Sequence, residues 1–356
     1  MFKFIDNFYD WWKNIDKIIL FLIIILFSLG LFFSLVSTSL IASDKLDTNS
    51  YFFFLKHLIF ITLGTLTLFL FSILKEEFLL QLSLILFCFI FITLLMVPLI
   101  GIEVKGSKRW LDLGFLPRFQ PIELLKPYFI IIISSLLCIN KNIYYKYLLS
   151  GLVLLPVVLL LLSQPDLGQT LLITMVWLTL IFISGINIFL FFLFFSLSIS
   201  LSAYLIFFVS KFEYIKIRIF SFLDTSSGNN YQADRASDAI SSGGFFGKGI
   251  GEGTLNIRVP EAHTDYVISV ISEEFGVLFI LIILLIFLLI TFKVFKKIPA
   301  EKNNTNKLIL IGSTLIIIFQ VLIHIGVNIR FLPTTGMTLP FLSYGGSSIL
   351  SSSILA

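Results

Sequence analysis

The sequence predicts an all-α polytopic membrane protein, with about ten transmembrane helices and one large extracytoplasmic loop that carries interfacial helices. Hydrophobic residues make up 58% of the 356 residues and charged residues only 13%, whereas soluble domains carry roughly 25% charged residues. Apolar runs of the roughly 20 residues needed to cross hydrocarbon recur from end to end. One long connection, 210–265, interrupts them, so we treat 1–356 as a single membrane domain that contains this loop.

The apolar runs give the order of the predicted helices. The first follows Lys13 and Lys17 and is too long for the apolar region of a cleaved signal peptide, which indicates a signal anchor. Gly185-Ile186-Asn187 divides a longer apolar stretch and predicts a tight turn, with a single very long helix as the alternative. The predicted spans are 18–40, 52–74, 79–101, 122–140, 147–163, 167–185, 187–209, 266–292, 307–328 and 339–356.

Lysines and arginines orient these helices. The positive-inside rule favours a cytoplasmic N-terminus, with Lys75, Lys141 and Lys146 on inner loops, although the two faces carry nearly equal numbers of cations. The inner cations stand at helix ends, whereas the outer ones cluster with Trp, Gln and Gly on two loops, at 105–118 and 211–258. Such clusters suit an anionic ligand, for example a diphosphate.

The long connection 210–265 has its own predicted structure. Its opening segment, Glu213–Leu223, places its apolar residues on one helical face and predicts an amphipathic helix lying on the bilayer: Ile215, Ile219, Phe222 and Leu223. A polar helical piece follows at Tyr231–Ile240, and then a glycine-rich run at Gly243–Gly253. Loops of this length are usually functional or disordered, and the aromatic content here favours order.

Spacing excludes two other kinds of site. The glycine run lies between membrane helices rather than in a βαβ unit, and Lys248 is followed by Gly, so a nucleotide-binding loop is excluded and tight turns are expected. Cys88 and Cys138 both lie in apolar runs without spaced partners, which argues against a disulfide framework or a zinc site.

Four segments carry a resemblance to a known family. They are Lys105–Leu111 with Arg118–Lys126, Gln164–Gly168, Gly247–Gly251 with Pro260–Asp265, and Pro340–Ser348. In order and spacing they resemble the SEDS family (shape, elongation, division and sporulation), the multi-spanning peptidoglycan glycosyltransferases, along nearly the whole chain. The runs Gly243–Gly249 and Met337–Pro340 resemble the division member more than the elongation member.

The chain departs from the family pattern at two positions. Ile122 stands where the family usually has a small residue, often Ser, and Asn256 stands where a cation is common. Arg258 is the candidate to replace that cation. If Arg258 does not replace it, we expect the affinity for substrate to be lower, with the catalytic step unaffected.

The resemblance implies a polymerase of lipid II, the undecaprenyl-diphosphate disaccharide-peptide. A sugar 4-hydroxyl of the acceptor attacks the anomeric carbon of the donor, and lipid diphosphate leaves. The attack needs a general base, and the resemblance selects Asp265, at the outer membrane edge where nearby hydrocarbon favours the protonated form of a carboxyl group. The alternative is that Asp265 caps a helix beginning at Tyr266; a cap supplied by Thr264 would leave Asp265 to catalysis.

Substrate-binding candidates surround this position in the family pattern. Arg109, Arg118 and Lys126 are candidates to hold the donor diphosphate, because cationic side chains bind phosphate oxygens. The alternative for Lys108 and Arg109 is snorkelling to the membrane interface. The remaining substrate-binding candidates are one tryptophan and three residues close to Asp265. Trp110 either lines the substrate or anchors the interface, and Arg258, Glu261 and His263 are expected to position substrate or Asp265.

Buried charge gives further expectations. Glu123 lies three residues before Lys126 on one helical face, so we predict an ion pair lining a polar cavity that faces the loop of Asp265. Asp166 is predicted to cap a helix starting at Leu167. At least one of Glu273 and Glu274 should pair inside the bundle. Gly345 and Gly346 of the last run form either a packing notch for a neighbouring helix or a bend, and the notch is expected.

Cofactor and partners follow from the same resemblance. A divalent cation, Mg²⁺ or Mn²⁺, could bridge Asp265 and the diphosphate, although the sequence shows no dedicated metal cage. The implied partners are lipid II, a class B penicillin-binding protein transpeptidase, other division proteins and the membrane, not nucleic acid.

The expected location is the bacterial inner membrane with a periplasmic active site. The competing interpretations are a lipid II flippase, an elongation-type polymerase and a scaffold.

Overall fold

The computed structural model describes residues 11–38, 51–104, 107–114, 117–139, 143–223, 231–255 and 258–356. Helices dominate this part of the chain. They are α1 (Lys17–Phe33), α2 (Phe52–Ile73), α3 (Glu76–Ile100), α4 (Pro121–Leu137), α5 (Ile143–Ser163), α6 (Leu167–Ile183), α7 (Ile188–Phe208), α8 (Glu213–Leu223), α9 (Tyr231–Gly243), α10 (Val267–Phe275), α11 (Val277–Lys297), α12 (Asn304–Asn328) and α13 (Gly346–Leu355).

The predicted membrane architecture is confirmed. Each of the ten predicted runs contains a helix, and across the described residues seven helices are long and apolar enough to cross a membrane. Two more, α6 and α13, are apolar but shorter. The turn predicted at Gly185 is present, since α6 ends at Ile183 and α7 begins at Ile188. Gly185 has a φ of 84°, a conformation that glycine adopts without strain.

The long connection 210–265, predicted to lie outside the cytoplasm, has the predicted helices. α8 has the predicted bounds, and α9 covers the expected polar helix. A small antiparallel hairpin was not predicted: β1 (Ile102–Val104) pairs with β2 (Ser107–Trp110). Strands this short carry too few residues to show an alternating pattern in the sequence.

One predicted span is two helices. The run 266–292 is broken at Gly276, which separates α10 from α11 with a φ of 82°. The carbonyl of Phe245 lies so close to Gly276 that a Cβ there would collide with it. The break exists because the glycine-rich run packs against this point, and an apolar sequence window does not reveal such a contact.

The last predicted span is shorter than expected. The helix begins at Gly346 rather than at 339, because 329–345 forms an irregular segment in which Phe341 has a φ of 62°. Gly346 provides the expected packing notch, since a Cβ there would lie 2.5 Å from the Phe60 ring of α2. The segment 329–345 thereby connects α12 to α13.

α4 lies at the centre of the bundle. Its side chains pack with α6 and α12 in one apolar cluster: Leu125, Phe129, Ile133, Leu172, Val176 and Ile316. α1 and α11 form a second cluster beside it. α7 and α11 expose most of their apolar side chains, which is the arrangement expected where lipid is the solvent. Cys88 and Cys138 are free thiols; Cys88 is exposed on α3 and Cys138 is half-buried at the end of α4.

Candidate active site

The turn that carries Asp265 is shaped by Glu261. Glu261 has a φ of 52°, and its carbonyl accepts hydrogen bonds from the amides of Thr264, at 3.1 Å, and Tyr266, at 3.3 Å. The Thr264 hydroxyl also donates to Glu261 Oε2, at 3.1 Å. A non-glycine residue in this conformation costs roughly 1–2 kcal/mol, so the surrounding contacts must hold the turn.

The alternative in which Asp265 or Thr264 caps the following helix is wrong. α10 begins at Val267 with Tyr266 as its N-cap, and no side chain caps it. Neither Asp265 nor Thr264 serves the helix N-terminus. Instead, the Asp265 carbonyl accepts a hydrogen bond from Asn328 Nδ2, at 3.1 Å, which ties the turn to α12.

Gly336 brings Asp265 and Arg109 together. It lies in the segment 329–345 with a φ of 71°, and a Cβ built on it would be 3.4 Å from both Arg109 Nη1 and Asp265 Oδ2. The carboxylate and the guanidinium therefore lie within about twice that distance of each other. Sequence reasoning missed Gly336. The only hint in the sequence is that this glycine directly precedes Met337–Pro340, a segment that carries the family resemblance.

Arg109 points into the protein. Its Nε donates to the Gln164 carbonyl at 3.3 Å, and its Nη2 donates to the Pro165 carbonyl. Nε also lies 3.8 Å from Asp166 Oδ2. The side chain is only 12% exposed, so the snorkelling alternative is wrong for this residue. Carbonyls and a carboxylate hold one side of the guanidinium and leave Nη1 facing Gly336.

Asp166 links Arg109 to two helices. It caps α6 as predicted, accepting from the Gln169 amide, at 3.4 Å, and it accepts from Gln120 Nε2, at 2.9 Å, at the start of α4. Burial raises the pKa of Asp166, and the nearby Arg109 guanidinium opposes that rise. Asp166 therefore holds Arg109 at the ends of α4 and α6.

The predicted ion pair of Glu123 and Lys126 is present, with Lys126 Nζ 2.7 Å from Glu123 Oε2. Its predicted place on a cavity wall is wrong, because Glu123 is 3% exposed and Lys126 1%. Each charge has a second partner instead: Gln169 Nε2 donates to Glu123, and Lys126 Nζ donates to Gln320 Oε1 at 2.9 Å. Charges among apolar helices persist only when enclosed by such partners.

The pair reaches the site through one further hydrogen bond. Gln320 Nε2 donates to the carbonyl of Thr338 at 2.9 Å, two residues beyond Gly336. His324 Nδ1 lies 2.7 Å from the neighbouring Met337 carbonyl. α12 thus fixes the backbone directly after Gly336, the residue that lies beside both Arg109 and Asp265.

The other predicted cations lie apart from this arrangement. Lys108 and Arg258 are exposed, and Arg118 is 64% exposed and paired with Asp112 at 3.0 Å. Arg118 and the Gly114 amide lower the pKa of Asp112, the amide having the larger effect. The described contacts do not bring these three cations to Asp265. Trp110 is half-buried in β2, and Asn256 lies outside the described residues.

His263 joins the turn to α2. Its ring lies 4.9 Å from the Phe53 ring and 5.5 Å from the Tyr344 ring, and its carbonyl accepts from the Tyr344 amide at 3.1 Å. Burial raises the pKa of Tyr344 to about 12, so its phenol stays neutral. These contacts give His263 a positioning geometry between α2 and the segment 329–345.

Glu273 organises the glycine-rich run. It is fully buried, and its Oε1 lies 2.9 Å from Lys248 Nζ and 3.0 Å from the amides of Thr254 and Leu255. The expectation that one of the two glutamates pairs inside the bundle is confirmed. Gly247 packs so closely on the backbone of α10 that no side chain fits there. The run is therefore fastened to the helix that follows Asp265.

Sequence reasoning also missed Arg218. It was placed on an interfacial helix, and its position on the side of α8 that faces Arg109 and Asp166 has no local sequence signal. Burial and the charge of Arg109 lower the pKa of this guanidinium, which remains a cation at neutral pH. Only the folding of α8 against the ends of α5 and α6 places it there, through a hydrogen bond from Tyr214 Oη to the Leu162 carbonyl of 3.0 Å.

Sequence comparisons identify relatives over nearly the whole chain. A family model described as "Cell cycle protein" matches residues 16–356. A probable peptidoglycan glycosyltransferase FtsW of Caulobacter vibrioides is 29% identical, with 96% of this chain and 87% of that protein covered. Its counterpart in Coxiella burnetii is 33% identical, with 91% and 90% covered.

Solved structures agree with this result. A chain of a peptidoglycan synthase complex, studied for how it coordinates polymerization and crosslinking, superposes with a TM-score of 0.78 at 28% identity, with 96% and 95% of the two chains covered. The rod shape determining protein RodA of Thermus thermophilus superposes with a TM-score of 0.70 at 26% identity, with 97% and 95% covered. The similarity therefore includes the helices and the outer segments that form the site.

Proposed function

Since the chain belongs to the family of cell cycle proteins that includes FtsW, RodA and SpoVE, we propose a reaction and a mechanism for the site at Gly336. The chain is an integral membrane protein and a peptidoglycan glycosyltransferase. It polymerises lipid II into glycan strands and releases undecaprenyl diphosphate. Its duty is septal wall synthesis in division, a proposal supported by the FtsW relatives.

The placement of a carboxylate and a guanidinium together beside Gly336 carries the proposal. Asp265 accepts the proton of the acceptor 4-hydroxyl as its oxygen bonds to the anomeric carbon of the donor. The bond from that carbon to the diphosphate breaks, and Arg109 Nη1 stabilises the negative charge that develops on the leaving oxygen. A positioned base of this kind contributes about 10²- to 10⁴-fold.

A divalent cation is a further part of the proposal. Among the described residues no three His, Cys, Asp or Glu side chains group closely enough to hold a metal by themselves. The protein would supply Asp265 and the substrate diphosphate would supply the remaining oxygens, which are the ligands that Mg²⁺ prefers. Chelation followed by titration with Mg²⁺ or Mn²⁺ tests this; full activity in excess chelator would contradict it.

Location and partners follow from the same family membership. We place the N-terminus in the cytoplasm and the site on the periplasmic face of the inner membrane, supported by lysines at the inner ends of helices, such as Lys296 and Lys297 of α11. The partner is a class B penicillin-binding protein within the division machinery. Its support is the relative that works inside a synthase complex.

Polymerisation of lipid II in liposomes, with the cognate transpeptidase present, tests the function. Wild type should make polymer, and Asp265→Asn should lose at least about 10²-fold of that activity while inserting equally well. Asp238→Asn is the matched control, because Asp238 is an exposed carboxylate of the same outer connection.

The other outcomes separate the competing functions. Equal product from wild type and Asp265→Asn would move the base elsewhere. No polymer from a confirmed complex, together with transbilayer movement of lipid II, would establish a flippase. Neither polymer nor movement would leave the scaffold function.

A further inference from the structure

A cavity lies beside the site, between α8, α9 and the segment 329–345. Its volume is about 390 Å³. One part of its wall is apolar, formed by Ile217, Phe222 and Leu332, and the other part is polar: Arg218, Gln232, Arg330 and Thr334. Thr334 is two residues from Gly336, so the segment 329–345 contributes both to this cavity and to the site.

The two arginines of this cavity differ in their partners. Arg330 Nη1 lies 2.7 Å from Asp234 Oδ1 of α9, so its charge is neutralised by the protein. Arg218 is half-buried and makes no hydrogen bond or ion pair with any residue that the structure describes. A guanidinium withdrawn from water without a partner is costly, which points to a ligand that supplies one.

The charges around Arg218 indicate the sign of that ligand. Arg218 and Arg109 act on each other through space, and Asp166 is the carboxylate close to both. Two phenols, of Tyr214 and Tyr266, complete the surroundings, and burial raises the pKa of both, so they stay neutral. Asp166 is already bound by Arg109 and Gln120, and the Asp265 carboxylate lies near Arg109. Neither carboxylate pairs with Arg218, so an anion would balance the charge of this guanidinium.

We propose that this cavity binds a prenyl diphosphate, with Arg218 as the residue that holds the diphosphate oxygens. The proposal rests on the proposed function, which requires two lipid-linked substrates and therefore places for two diphosphates. Arg109 faces one across Gly336, and Arg218 holds the other. The mixed wall suits the part of the ligand where the prenyl chain joins the diphosphate. Ile217 and Phe222 would contact the prenyl chain, and Arg218 would contact the diphosphate.

Binding of geranylgeranyl diphosphate to the purified protein in detergent, measured by calorimetry without turnover, tests the proposal. Arg218→Ala should weaken binding about 10- to 100-fold, the loss expected for charge-assisted hydrogen bonds. Arg218→Lys should fall between, because a lysine keeps the charge but not the bidentate fork. Lys216→Ala is the matched control, an exposed cation on the same helix, and should bind as wild type does.

Two further probes distinguish the chemistry. Geranylgeraniol, which lacks phosphate, should bind equally weakly to wild type and Arg218→Ala. A soluble disaccharide-pentapeptide, whose anions are carboxylates, should be unaffected by the substitution. Unchanged diphosphate binding in Arg218→Ala, or a loss confined to the disaccharide-pentapeptide, would overturn the proposal. If Arg218→Ala does not fold, Arg218→Gln applies the same test with a side chain of similar length.

The steady-state readout separates this proposal from the function itself. In a polymerising protein Arg218→Ala should raise the KM for lipid II by about 10-fold or more, with a smaller change in kcat. A protein that binds the diphosphate through Arg218 but makes no polymer would refute the proposed function and keep the binding site. Polymerisation by Arg218→Ala at the wild-type KM would refute the binding site and keep the function.

Discussion

Two groups of charged residues lie about the same end of α4 and are built differently. In the inner group, Glu123 and Lys126 are enclosed by the bundle, and each has a second partner from α6 or α12. In the outer group, Arg109 is held on one side only, and Arg218 has no partner within the described residues. The difference teaches that charged residues with protein partners fix the shape of the site. A charged residue without a protein partner, beside a cavity, indicates where a ligand binds.

Breaking the inner group should have the largest effect. Lys126→Met leaves the Glu123 carboxylate buried without its cation, which costs about 3–5 kcal/mol of stability. Thermal unfolding in detergent measures the loss. The double variant Glu123→Leu with Lys126→Met should recover most of it, since neither charge is then unpaired. A single variant as stable as wild type would mean that the pair is not the structural element that its burial indicates.

A side chain placed beside Arg109 and Asp265 should have the next largest effect. Gly336→Ala puts a methyl group against both Arg109 Nη1 and Asp265 Oδ2 in a backbone conformation that disfavours alanine. A displacement of about 1 Å can cost roughly 10²-fold in rate, so we expect polymerisation to fall by that order. Gly114→Ala is the control, because Gly114 has a φ of 76° with open space around it. Equal losses in both variants would assign the effect to backbone strain alone.

Substitution of the buried glutamate that holds the glycine-rich run should give a smaller, local effect. Glu273→Gln removes the charge that binds Lys248 and the amides of Thr254 and Leu255, and we expect about 1–2 kcal/mol less resistance to local opening. Hydrogen exchange of those two amides measures it. Glu252→Gln, an exposed neighbour, should leave their exchange unchanged. Unaltered protection in Glu273→Gln would show that glycine packing alone fastens the run.

The smallest effect should come from Arg118. Its bridge to Asp112 is exposed, and such pairs contribute about 0–1 kcal/mol. Arg118→Ala should polymerise within about twofold of wild type, whereas Arg109→Ala should lose far more. Assays of the two variants side by side sharpen the comparison, because both residues carry the same charge in the same outer loop. A large loss in Arg118→Ala would show that it moves to the substrate on binding.

Hydropathy was sufficient to predict most of the helices. A helix that crosses the bilayer needs an apolar run of a fixed length, whatever it packs against. Hydropathy failed where two segments meet: the break at Gly276 depends on Phe245, and the late start of α13 depends on the backbone of 329–345. The site shows the same division. Asp265 and Arg109 lie in motifs and were predicted, whereas Arg218 and Gly336 gain their positions only through distant contacts.

The break at Gly276 has a consequence for how the protein responds to its bilayer. α11 is largely lipid-exposed, so a thicker or thinner membrane changes its tilt directly. In an unbroken rod, a tilt of about 10° would move a point one α10 length away, about 13 Å, by roughly 2 Å, enough to misplace Asp265. The glycine-rich run is bonded to both sides of the break. The Lys248 and Gly249 amides donate to carbonyls of α10, and the first two amides of α11 donate to the carbonyls of Gly244 and Phe245. A change in the tilt of α11 therefore acts on the glycine-rich run as well as on α10, the helix that follows Asp265.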